Sequence, residues 1–189
     1  MAVGQRAGTM QAKRGPALAA FLLAMVLGTA GLLVGCAESA STSSDGVGTP
    51  LTEAVVPAAP DLSAPVPAVR SYLAWVGFSY RMANSEISSR TMTPYEGVRV
   101  DSYIQLNREK NQGMEQELTA FTPVEASRSE TAALITASEA WRYRYFSLDK
   151  RRYLTPWYEA SYDTTYSVIA TQGVWLVASV EATALTPVK

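Results

Sequence analysis

The chain contains no histidine and a single cysteine, Cys36. Without histidine there is no Ser-His-Asp triad and no imidazole general base near neutral pH, and the commonest metal ligand is missing. One cysteine closes no disulfide within the chain and cannot by itself build a cysteine metal site. Positive charge is scarce as well. Residues 1–35 take three of the 16 basic residues and no acid, so residues 36–189 hold 13 basic against 17 acidic residues, a formal net charge of −4. A surface of that sign gives no support to nucleic-acid binding. No internal repeat is present, and these absences together leave no cofactor, metal or assigned catalytic residue to expect.

What is present begins with the N-terminus. Arg6, Lys13 and Arg14 precede the uncharged run 17–34, ALAAFLLAMVLGTAGLLV, which ends in Leu33-Val34-Gly35-Cys36. A basic stretch, an apolar stretch and small residues before a cut are the layout of a secretory signal. The tetrapeptide resembles the lipobox of bacterial lipoproteins, which implies acylation at Cys36 and removal of residues 1–35. An uncleaved membrane span is the rival reading. Eighteen uncharged residues are barely long enough to cross, and Gly28 and Gly31 weaken the stretch as a helix. Both readings put residues 37–189 on the extracytoplasmic side of the cell membrane, because the positive end stays inside. Two or more acyl chains would hold the protein there stably.

Residues 36–67 read as the lipidated cysteine followed by a disordered tether. AESASTSSDGVGTP is small and polar, and prolines follow at 57, 60, 65 and 67. Such a composition cannot bury enough surface to fold by itself. The folded domain is then expected over residues 68–186, which hold all four tryptophans and all ten tyrosines.

Within it, Val69, Tyr72, Leu73, Val76, Tyr80 and Ala83 make one apolar stripe at helical spacing, with Arg70, Ser71 and Arg81 away from it. Pro67 is placed to start that helix, and SEISSR suggests a short extra turn. Thr93-Pro94-Tyr95-Glu96 has the pattern of a capping box and opens a second helix to about Asn111, which Gly113 would end as a left-handed cap. The period then changes to two. Residues 115–126, 130–146, 157–170 and 174–183 alternate as strands, and Thr171-Gln172-Gly173 makes a tight turn. Helices followed by strands predict an α+β fold, with helices packed on an antiparallel four-stranded sheet.

Several stretches resemble the IMS domain of plastid and cyanobacterial division proteins and lipoprotein relatives with the nuclear transport factor 2-like (SnoaL-like) cone fold. They are YLAW, VDSYIQLNREKNQG, MEQELTAFTPVEA, SETAALITASEAWRYRY and TTYSVIATQGVWLVASVEA. The resemblance spans residues 68–185. It implies a curved sheet wrapping helices, with a cavity at the wide end of the cone. The fold class also includes sheet-to-sheet dimers, so a homodimer is an open expectation. Enzymes of the class use histidine or paired carboxylates in the cone, whereas many members only bind or scaffold.

Three acids lie within strands: Glu139, Glu159 and Asp163. One reading makes a carboxylate general base in an aromatic pocket. The other makes these acids surface groups paired with Arg142 or Arg144. Trp75, Tyr103, Glu139, Trp141, Tyr143, Trp157 and Trp175 are candidates for a pocket or interface, or else plain core. Arg142, Arg144, Lys150, Arg151 and Arg152 cluster with aromatics at one hairpin end. They form either a contact for anionic lipid or wall polymer or a solvated tip. The reading that results is a membrane-anchored extracytoplasmic lipoprotein of the cell envelope. Its domain binds or scaffolds without catalysis, for an envelope protein or a small ligand. The alternative is a small-molecule enzyme using one of the three acids.

Overall fold

The structure, a computed structural model, describes residues 46–185. The signal segment, Cys36 and residues 36–45 lie outside the described residues. Helix α1 (Pro65–Met82) is followed by a short 3-10 helix (Ser85–Thr91) and helix α2 (Pro94–Glu109). Four strands follow: β1 (Gln112–Arg128), β2 (Ala132–Ser147), β3 (Tyr158–Thr171) and β4 (Val174–Ala184). They form one antiparallel sheet in the order β1-β2-β3-β4, so every connection is a hairpin. Register shifts at Leu118/Ala120, Glu125/Ser127 and Ser167/Val168 bend the sheet around the helices. This is the α+β, cone-like fold expected.

The strand alternation sets the inner face. Ala133, Ile135, Ala137 and Glu139 of β2 point to the helices, as do Ala160, Thr164, Tyr166 and Val168 of β3 and Trp175 and Val177 of β4. Against them pack Val69, Tyr72, Leu73 and Val76 from α1 and Val100 and Ile104 from α2. Each fully buried large aliphatic side chain contributes about 1.5–3 kcal/mol, so this interlocked set dominates the stability.

Local signals explain most element ends. Thr93 caps α2, its hydroxyl accepting from the Glu96 amide at 3.4 Å. The reciprocal arm of the capping box is absent, because the Glu96 carboxylate turns inward to Arg99 and Tyr72. Asn84 accepts from the Glu86 amide and starts the 3-10 helix. Gln172 and Gly173 both have positive φ (50° and 82°), as a two-residue hairpin loop requires. The left-handed residue after α2 is Asn111 (φ 55°), not Gly113. Gly113 lies in β1, and its role is space: a Cβ there would fall inside the Phe146 ring.

Residues 46–64 depart from the expected disordered tether. They lie along the domain as an extended strap that runs antiparallel to α1. Thr52 meets Arg81, Ala58 meets Trp75, and Asp61 meets Ser71. The strap's first residues bond to the loop before β3, through Gly48 N to Tyr153 O and Leu51 N to Arg151 O, each 2.8 Å. At its end, Trp175 N donates to Leu62 O at 2.9 Å. Leu51, Ala54, Pro57 and Pro60 are half-buried, whereas the residues between them are mostly exposed. That repeat of three is the repeat of polyproline II, which needs no core of its own and presents one edge to a partner surface. Low hydrophobicity therefore did not prevent ordering, because α1 supplies the surface. The folded unit accordingly begins before Ala68, and α1 starts at Pro65, not Pro67.

Candidate functional site

Two polar clusters sit inside the cone. Glu139, 6% exposed, accepts from Tyr166 Oη and, at 2.7 Å, from Trp141 Nε1. Burial pushes its carboxyl above the usual value of 4.5, and the Tyr166 and Trp141 donors oppose that shift. Among the described residues no Lys or Arg forms an ion pair with it. Tyr166 is itself held well above the ordinary tyrosine range by burial and by the Glu139 charge. Glu96, 1% exposed, forms the second cluster. It accepts from Tyr72 Oη at 2.5 Å and from Arg99 Nε at 3.0 Å to both oxygens. Burial pushes the Tyr72 hydroxyl well above its usual range.

Of the three strand acids, only Glu139 is on the inner face. Glu159 and Asp163 are exposed on the outer face, where Asp163 accepts from Ser138 at 3.0 Å. Strand parity separates them, since Glu139 and Asp163 lie on oppositely directed positions of adjacent strands. A pair of convergent carboxylates is therefore not formed by these three residues.

The seven pocket candidates also disperse. Glu139 and Trp141 touch. The Tyr103 ring packs at a tilt against Tyr80, centroids 5.1 Å apart, and its hydroxyl lies 3.3 Å from the Tyr145 hydroxyl. Tyr143 joins an aromatic cluster with Tyr145 and Tyr158. Trp175 is core, with the Arg128 guanidinium 5.3 Å over its ring. Trp75 pins the strap through its indole N–H, 3.0 Å from Ala58 O. Trp157 lies by the outer face of the hairpin, beneath Arg142 (4.7 Å) and Arg144 (4.2 Å).

Those contacts correct the basic tip. Arg142 bonds Glu117 through Nε at 2.8 Å, and Arg144 bonds Glu115 at 2.8 Å, each directly across from β1. Arg144 also covers the Tyr153 ring at 3.4 Å. Arg152 donates to Gly48 O at 2.6 Å and so holds the strap. Of the five, Lys150 and Arg151 remain exposed with no ion pair or side-chain hydrogen bond among the described residues. The cross-strand acids were adjacent in the register but invisible until the strands paired.

Outside the cone, a groove of about 560 Å³ runs between the strap, α1 and β1. Its walls include Leu73, Ala74, Gly77, Leu118 and Trp141, with Arg70 and Arg81 along α1. Arg81 was expected away from the packed stripe and is instead 8% exposed. Its Nη2 donates to Thr52 O at 2.5 Å, its Nε is 4.0 Å from Glu115, and its plane covers Phe146 at 4.8 Å. Its Nη1 is buried without a hydrogen-bond partner among the described residues. The sequence carried a signal for this groove. Arg70, Ala74, Gly77 and Arg81 fall at i, i+4, i+7 and i+11, a track of small residues between two arginines on one helix face.

No family model matches the chain, and no curated protein matches it. Among solved structures, the intermembrane space region of the chloroplast protein ARC6 superposes with a TM-score of 0.52 at 12% identity. It covers 64% of this chain and 98% of that one. An uncharacterized protein with a cystatin-like fold from Caulobacter vibrioides gives 0.43 at 13% identity, covering 65% of this chain and 90% of that one. The first likeness shows that the fold resembles that of the IMS region. At such identity it shows the fold alone.

Proposed function

We propose that the chain is a lipid-anchored protein of the cell envelope, held on the extracytoplasmic side through acylated Cys36, whose folded domain binds a partner or ligand and performs no catalysis. The observation that carries the non-catalytic part is the state of Glu139. Both of its oxygens are engaged by Tyr166 and Trp141 within the core, and the other two strand acids lie on the opposite face of the sheet. A general base must reach the proton it removes, so the enzyme reading would need Glu139 released from both donors. The anchor rests on the signal layout and on Leu33-Val34-Gly35-Cys36. Among the described residues no helix is long and apolar enough to cross a membrane.

The test is Cys36→Ser in cells fed an alkyne fatty acid. Wild type is expected to take up the label and sediment with membranes, and the variant to carry no label and remain an unprocessed precursor. Equal labelling and equal processing of the two proteins would overturn the anchor.

A further inference from the structure

We propose that Arg81 and the grooves on either side of the strap form a binding site for an amphipathic anion, an acyl chain with a carboxylate or phosphate head, and that residues 52–57 cover it. The inference rests on the binding reading above and assigns the ligand chemistry.

The geometry has three parts. The first is Arg81 itself. A buried guanidinium is ordinarily satisfied on all its donors, and one left unpaired costs the desolvation of a charged group. Here Nη1 has no hydrogen-bond partner among the described residues. Glu115 does not supply one, because it lies 4.0 Å from Arg81 Nε and is held by Arg144 at 2.8 Å. The planar fork of arginine matches a carboxylate or phosphate through two parallel hydrogen bonds. An anionic head that took the place of the Thr52 carbonyl on Nη2 and also met Nη1 would satisfy both.

The second part is apolar space next to that charge. The groove of about 560 Å³ leads away from Arg81 past Gly77, Ala74, Leu73 and Leu118 to Trp141. A second groove of about 340 Å³ lies on the other side of the strap, against Phe78, Met82 and Phe146, and Arg81 lines it too. The combined chemistry is a buried cation at the junction of two mostly apolar channels, in the size range of ligand sites. Glu53 and Glu115 offset Arg70 and Arg81 along the groove, so a single head group fits better than a polyanion.

The third part is the cover. Thr52 bonds Arg81, and the next hydrogen bond from a side chain of α1 to the strap is Trp75 to Ala58 O. Between them Val55 is 88% and Val56 64% exposed. These are apolar residues standing in solvent above an apolar groove. Lifting this stretch breaks the Thr52 bonds and joins the two grooves over Arg81.

The experiment uses the full chain in phosphatidylcholine nanodiscs and a dodecanoate bearing a photoreactive group on its chain. Adducts are expected on residues 73–78, 118 and 141. Unlabelled dodecanoate, or lysophosphatidic acid with a dodecanoyl chain, should compete; which competes better identifies a free carboxylate or a lipid phosphate as the source. Dodecyltrimethylammonium should compete at least tenfold less well. Ala74→Phe fills the groove from an exposed helix position, and it should cut the adducts at least tenfold with the melting temperature retained. Arg81→Gln should abolish the preference for anion over cation. The proposal is overturned by adducts scattered over the sheet's outer face, by equal competition from the cation, or by full labelling of Ala74→Phe. Any of these would leave the Cys36 labelling unchanged and so would not touch the anchor.

Discussion

Glu96 and Glu139 are both buried carboxylates, and each accepts a hydrogen bond from one member of the same tyrosine pair. Tyr72 serves Glu96 and Tyr166 serves Glu139, and the two rings meet edge to face at 6.3 Å and 72°. The difference is charge. Glu96 stands at the start of α2 with Arg99 one turn on, whose guanidinium bonds both oxygens. Glu139 sits mid-strand and has only neutral donors, an indole and a phenol. Ionised, the first is a salt bridge with one partner in contact with water. The second is a lone charge in an apolar surrounding, and its protonation eases the cost of burial. One region is therefore an electrostatic clamp between the two helices, and the other is a neutral polar knot in the sheet.

The largest effect should come from breaking the clamp. Glu96→Ala strands the buried Tyr72 hydroxyl and leaves Arg99 without its acceptor. We expect a loss of about 2–4 kcal/mol, below the full cost of breaking a buried pair because Arg99 reaches solvent. Urea unfolding followed by tryptophan fluorescence would measure it, with the slope unchanged. A loss near zero would mean that Tyr72 and Arg99 find other partners, and that the clamp does not hold α1 to α2.

A smaller, pH-dependent effect should distinguish the knot. In Glu139→Gln the amide oxygen can accept from Trp141 while its NH2 donates to the Tyr166 oxygen, so stability near neutral pH should change by only about 1 kcal/mol. The sign of the pH dependence follows from the raised folded pKa. Between the ordinary value of 4.5 and that raised value, the folded state binds more protons than the unfolded chain. The Glu139 contribution is thus fully present below pH 4.5 and is lost as pH rises through the folded pKa. Glu139→Gln should lack this fall, so the two melting curves, measured from pH 4 to 8, should converge or cross as pH rises. Curves that stay parallel would show that Glu139 is ionised throughout.

How far these regions could be read from the chain depends on the distance over which each contact acts. The Thr93-to-Glu96 spacing announced the start of α2, because capping is a matter of three residues. It did not announce that the Glu96 side chain turns inward, since Tyr72 lies 24 residues away. Glu139 was a candidate from the start as one of three acids within strands, and the sheet put it beside Ala137 and Ile135 on the inner face. Its sequestration depended on Tyr166 from β3. The arginines misled in both directions. Arg142 and Arg144 looked like a free basic tip because Glu117 and Glu115 come from another strand. Arg81 looked like a solvated residue because the strap that buries it precedes the helix and has the composition of a tether. Composition reports whether a segment can fold alone; it is silent on whether a neighbour offers it a surface.

The smallest effect is expected where the clamp's chemistry is repeated in water. Arg142 and Glu117 form an Arg–Glu pair across β1 and β2, with side chains 42% and 51% exposed. Both guanidinium donors go to one oxygen, Glu117 Oε2, and the guanidinium also covers Trp157 at 4.7 Å. Water already solvates both charges, so little desolvation is at stake when the pair is lost. Arg142→Ala should therefore cost no more than about 1 kcal/mol, part of it from the uncovered indole. The difference from wild type should shrink further in 1 M salt, where exposed charges are screened. Glu96→Ala, with its carboxylate buried, should keep its cost at the same salt. If Arg142→Ala proved as damaging as Glu96→Ala and insensitive to salt, burial would not be what separates the two pairs. The ladder on Trp157 would then be holding the loop before β3, and through Arg152 the strap, more firmly than the inner clamp holds the helices.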